Sequence, residues 1–98
     1  MKEYRIVCTL DQTHSKKYGG GTTHREAATV MIGGCVRRNR TFFDKAEAEA
    51  YLQDTIPKAA KYDQKRQAEF NSGDPDTVWT AQSNIRIQCR EVSEWEDL

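Results

Sequence analysis

The stretch from Thr41 to Asp74 constrains this chain most, because it carries a long helical pattern with a proline inside it. Asp44 suits an N-cap, since its carboxylate can accept a hydrogen bond from a free N–H of the first turn. Glu47, three residues on, completes a capping-box arrangement with Asp in the Ser/Thr place. Ala48, Tyr51, Leu52, Thr55 and Ile56 recur at i, i+3, i+4, i+7 and i+8, one face of a helix. Lys45, Glu47, Glu49, Gln53 and Asp54 fall mostly on the other face. Pro57 has no N–H and pushes Ile56 away from helical dihedrals. Yet the pattern resumes from Lys58 to Phe70, and Gly73 and Pro75 end it. Unbroken, a helix from Lys45 to Asn71 would be about 40 Å long at ~1.5 Å per residue. A compact chain of this length is only about 30–35 Å across. The expectation is a kink, or two short helices meeting near Thr55–Pro57.

The remaining segments read as strands and loops that must pack on this helix. From Glu3 to Leu10 the residues alternate, with Tyr4, Ile6, Cys8 and Leu10 on one face, as in a half-buried strand. Asp11 to His24 is a polar loop centred on Gly19-Gly20-Gly21, or else the tip of a wide hairpin. Glu26 to Ile32 is apolar and β-branched and predicts a second strand, followed by a turn or bulge at Gly33-Gly34. Cys35 to Phe43 predicts a third, with a turn at Arg38-Asn39 as an option. Thr77 to Ala81 predicts a short strand, Gln82-Ser83-Asn84 a turn, and Asn84 to Val92 a strand with Ile85, Ile87 and Cys89 inward. Ser93 to Leu98 is an acidic tail carrying Trp95. The order β-β-β-α-(α)-β-β predicts one α+β domain over residues 1–98. It is an antiparallel sheet of four to five strands packed by one kinked helix or two short helices. Its expected core is Ile6, Cys8, Leu10, Leu52, Ile56, Ile85, Ile87 and Cys89.

No run is long enough to span a membrane, and Met-Lys-Glu-Tyr-Arg-Ile-Val lacks the apolar core of a signal peptide. Cys8, Cys35 and Cys89 are odd in number and far apart, which argues against a disulfide framework. The expected location is cytoplasmic. Net charge is zero, but residues 1–45 hold nine Lys/Arg and four Asp/Glu (+5), and residues 46–98 hold six and eleven (−5). The halves are expected to complement each other inside one fold.

Each candidate chemistry meets an obstacle in the spacing. Zinc would need close pairs among Cys8, Cys35, Cys89, His14 and His24, and none exists. No cofactor is expected. Cys35 beside Arg37 and Arg38 is the only plausible nucleophile, and an unremarkable strand cysteine explains it better. Lys16, Lys17 and the three glycines have phosphate-binding composition, but they precede a strand, where a P-loop opens a helix. Arg37, Arg38 and Arg40 could contact a nucleic-acid backbone, with Tyr18 and Phe42 for stacking. The balanced charge opposes that, because such modules are usually basic. Trp79 and Trp95 are candidate interface anchors, since exposed tryptophans often carry binding energy, and Trp95 could equally fold back to cap the core edge.

Phe42-Phe43-Asp44-Lys45-Ala46-Glu47-Ala48-Glu49-Ala50-Tyr51-Leu52 resembles the strand-to-helix step of small α+β modules such as the ribonuclease H1 hybrid-binding domain. In size, polarity and single-domain build, the whole chain resembles short accessory proteins encoded by bacteriophages, inhibitors of host defence such as anti-CRISPR proteins among them. That resemblance implies an inhibitor of a host defence complex. The expected function is a non-enzymatic protein that binds another protein, through some of Lys16, Lys17, Arg37, Arg38, Arg40 and Trp95. The alternative is nucleic-acid binding by the arginine cluster, and self-association stays open.

Overall fold

β1 (Lys2–Thr13) is the spine of the molecule. The computed structural model describes residues 1–33 and 36–91. Cys35 and Trp95, both singled out above, lie outside the described residues. β6 (Trp79–Glu91) pairs antiparallel with β1 along its whole length. On the other side of β1, β2 (Thr22–Ala27) pairs with Cys8–Thr13 and β5 (Thr41–Phe42) with Tyr4 and Arg5. The result is a four-stranded antiparallel sheet in an α+β domain. The strict alternation of β1 explains its two faces. Ile6, Cys8 and Leu10 are buried together with Ala59 of the helix. The opposite face is a ladder of polar cross-strand pairs: Arg5 Nε to Gln88 at 2.8 Å, Thr9 to Glu26 at 2.9 Å, Arg86 to Glu26 at 2.9 Å, and His24 with Asp11.

The helix α1 (Lys45–Asn71) runs unbroken through Pro57. Asp44 caps it as expected, its carboxylate accepting from the Ala46 N–H at 3.0 Å. Of the two expected forms, the two-helix one is absent, for two physical reasons. Pro57 deprives only the Gln53 carbonyl, four residues back, of its donor, and both residues are exposed, so water can replace the lost bond. The size argument also fails, because the molecule is not a sphere. Its extents are 48 × 28 × 20 Å. Strands of 12 and 13 residues span about 40 Å at ~3.3 Å per residue, the same length as the helix beside them.

Other boundaries move as well. Of the two forms expected for residues 11–24, the hairpin holds: 11–13 end β1, 22–24 begin β2, and the residues between them form the tip. Lys16–Tyr18 forms a 3-10 turn there, and Gly19, Gly20 and Gly21 all take positive φ to reverse the chain. The second predicted strand divides at Ala28-Thr29. Its first part is β2; its second, β3 (Val30–Gly33), leaves the sheet and forms a two-stranded ribbon with β4 (Val36–Arg38). The third predicted strand is thereby divided into β4 and β5. The turn predicted at Gln82–Asn84 is a bulge inside one long strand. Val7 pairs with Arg86 but Thr9 with Ser83, so β6 holds one extra residue opposite Cys8. Asn84 absorbs it at φ 50°, a conformation Asn tolerates better than most residues.

The core is correspondingly shifted. Ile6, Cys8 and Leu10 are buried and Leu52 and Ile85 pack against them, but Ile56 is 39% exposed. The buried stripe of α1 is Ala48, Thr55, Ala59 and Asp63, and Ile56 lies about 100° around the helix from Thr55. Ile87 is half-buried and Cys89 exposed, because both lie toward the end of the sheet where α1 begins. Val7, Val30 and Phe42 are buried instead.

Candidate functional site

One polar node ties the sheet, the helix and the β3–β4 ribbon together. Gln82 of β6 donates its backbone N–H to Asp63 Oδ2 at 2.7 Å and its side-chain amide to Oδ1 at 3.0 Å. The same side chain accepts from the Met31 N–H at 2.7 Å and donates to the Met31 carbonyl at 2.9 Å, so it stands in for a partner strand along β3. Burial pushes the Asp63 carboxyl above its usual range, against the lowering effect of the Gln82 bonds. Two residues earlier, Gln67 of α1 donates to the Thr80 carbonyl at 3.1 Å. Helix side chains thus close the outer edge of β6 at Thr80 and Gln82.

Beyond the bulge that protection stops. Among the described residues β6 has no strand on its outer side, and α1 packs beside it. Between them lies a groove of about 620 Å³, lined by Ala46, Glu49, Ala50, Leu52 and Gln53 of the helix and Ile85, Arg86 and Ile87 of the strand. Its lining is largely apolar, and among the described residues no strand pairs with the edge beside it. β2, the other long edge, is a polar run of Thr22, Thr23, His24, Arg25 and Glu26, the kind of sequence that discourages pairing.

The residues singled out from the sequence are placed elsewhere. Arg38 and Arg40 do come together, but both are bound internally. The Arg38 guanidinium sits 4.5 Å from the Tyr51 ring centre and pairs with Asp54 at 2.8 Å. Its side chain is only 14% exposed. Arg40 stacks over Phe42 at 4.8 Å and pairs with Glu47 at 2.9 Å. These contacts fasten β4 and β5 to the first half of α1. Lys58 first, and Arg38 after it, hold the Asp54 carboxyl below its usual range. Arg37 is exposed and lines a separate hollow with Arg25, Ala28 and Thr29. Lys17 pairs with Asp76 at 2.7 Å, where Tyr18 also donates at 2.9 Å, and Ser15 bonds the Pro75 carbonyl at 2.6 Å. The hairpin tip is thereby strapped to the loop after α1. Gly19 and Gly20 spend their N–H groups on Lys16 and Ser15 carbonyls, so neither is offered to an anion. Lys16 remains exposed. From Arg5, which pairs with Thr41, to Thr13 is eight residues, about 26 Å of strand, so the two basic clusters do not form one surface.

Cys8 is fully buried, its thiol donating to the Thr29 carbonyl at 3.6 Å, and burial raises its pKa. Among the described residues no three His, Cys, Asp or Glu side chains gather as metal ligands would, and no helix is long and apolar enough to cross a membrane. Sequence reasoning missed the β6 groove because its signal, Ile85 and Ile87 alternating with arginine and glutamine, is that of any half-buried strand. No protein-family model, curated protein or solved structure matches this chain.

Proposed function

We propose that this is a non-enzymatic protein that binds an extended segment of another protein along the open half of β6. The observation that carries this is the juxtaposition of an apolar groove with a strand edge that pairs with no other strand among the described residues, from Ile85 onward. An added strand would gain main-chain hydrogen bonds from the edge and specificity from alternate side chains seated against Ala50, Leu52 and Ile87. The internal pairing of Arg38, Arg40 and Lys17 favours this reading over nucleic-acid binding by the arginine cluster. The likeness to phage accessory proteins makes a host defence complex in the cytoplasm the first partner to test.

The test selects binders from a displayed library of host protein fragments and measures them against the native chain and Ala50→Arg. Ala50 is exposed on the helix and lines the groove, so arginine there fills the groove without emptying the core. The expected ligands carry apolar residues at alternate positions and lose at least about tenfold in affinity for Ala50→Arg. Ligands indifferent to that substitution would overturn the proposal. So would a dimer of the native chain that Ala50→Arg dissolves, since the edge would then serve self-pairing.

A further inference from the structure

We infer a second binding site, for single-stranded nucleic acid, on the basic face of the second half of α1. Lys58, Lys61, Tyr62, Lys65 and Arg66 line one side of a cleft of about 460 Å³, and the end of β3 at Gly33 lines the other. Their spacing of three and four residues puts them on one helix face, beside the buried stripe. From Lys58 to Arg66 the cations span about 12 Å along the axis at ~1.5 Å per residue.

Three observations point to an anionic ligand. Lys58 and Lys61, and Lys61 and Lys65, stand three and four residues apart with like charge, an arrangement that weakens a helix. Among the described residues neither Lys61 nor Lys65 forms an ion pair to relieve it. The helix dipole does not account for the cluster either, because its effect is confined to the last turn, which holds no basic residue. The third observation is Arg66 Nε, a buried donor with no acceptor among the described residues. Two carboxylates face the cluster. Asp54 pairs with Lys58 at 3.1 Å as well as with Arg38, and Glu69 with Arg66 at 3.3 Å. Each is bonded to a neighbour, and among the described residues neither pairs with Lys61 or Lys65. Tyr62 among the cations favours nucleic acid over an acidic peptide, because a base can stack on its ring while phosphates meet the lysines.

The site is distinct from the β6 groove, so either can fail without the other. The experiment is fluorescence anisotropy of the full chain with a labelled single-stranded oligonucleotide of mixed sequence, from about 50 to 200 mM salt. Three or four phosphate contacts predict a log–log salt slope of about −2 to −3, at ~0.7 per contact. Lys61→Gln with Lys65→Gln should shrink the slope by about 1.4. Both lysines are exposed, so an unchanged circular dichroism spectrum is the check on folding. Tyr62→Phe should keep the affinity and Tyr62→Ala lower it about tenfold. No binding at the lowest salt, or a slope the double variant leaves unchanged, would overturn the inference. Equal binding of inorganic tripolyphosphate or polyglutamate would also overturn it, since charge alone would then suffice.

Discussion

Gln82 shows how one side chain can hold a ribbon that the sheet ladder does not reach. It meets both the N–H and the carbonyl of Met31 and gives its own N–H to a helix carboxylate. Replacing it with alanine leaves two main-chain groups of Met31 unmet beside the core. Gln82→Ala should cost about 2–4 kcal/mol in urea denaturation, since each orphaned buried group costs ~1–3 kcal/mol. A change within error would show that the amide is dispensable. Asp63, its partner, has a testable sign. Burial raises its folded pKa, so the folded state holds this proton longer than the unfolded chain does. Its term therefore favours folding below the ordinary Asp value of about 3.9 and is lost as pH rises through the folded pKa. Asp54 and Asp76, lowered chiefly by bonds to Lys58 and Lys17, act in the opposite sense at the acid end. A carboxyl titration by NMR should place Asp63 above the ordinary value, and a midpoint at or below it would refute the assignment. None of this was legible in the sequence, where Gln82 read as part of a turn and nothing marked Asp63 as its partner.

The helix and the long strands are matched in length, and that explains both the success and the failure of local patterns. Asp44 and Gly73 mark the ends of α1 correctly, because caps are local chemistry, whereas the carboxylate of Glu47 turns to Arg40. Pro57 misleads, because its effect depends on where the orphaned carbonyl points, and that is a tertiary fact. Pro57→Ala should accordingly stabilise the fold, restoring an interior helix bond at an exposed position. A gain of about 1–3 kcal/mol is expected from the helix-propensity difference, read as a raised denaturation midpoint. A loss of stability would mean that the proline sets a bend the packing requires. Strand periodicity located β1 because it never changes phase. β6 was divided in two because the extra residue at Asn84 shifts its alternation, which in one sequence looks the same as a turn.

At the scale of the whole molecule, an elongated two-layer body leaves one sheet edge half covered. Asp63 and Gln67 close β6 at Gln82 and Thr80, and the apolar groove opens past the bulge. The sequence announced the basic residues but not their partners, so Arg38 and Arg40 looked free until Asp54 and Glu47 were placed beside them. The most direct test of strand addition at β6 is residue-resolved amide exchange, with and without a ligand selected for binding. Gln82 turns its N–H away from β1, and the same alternation past the bulge sends those of Ile87 and Cys89 outward. In the free protein Gln82 should exchange slowly and Ile87 and Cys89 quickly. On binding, Ile87 and Cys89 should become protected. If they stay unprotected in the complex while another surface slows, the partner binds elsewhere and the account is wrong.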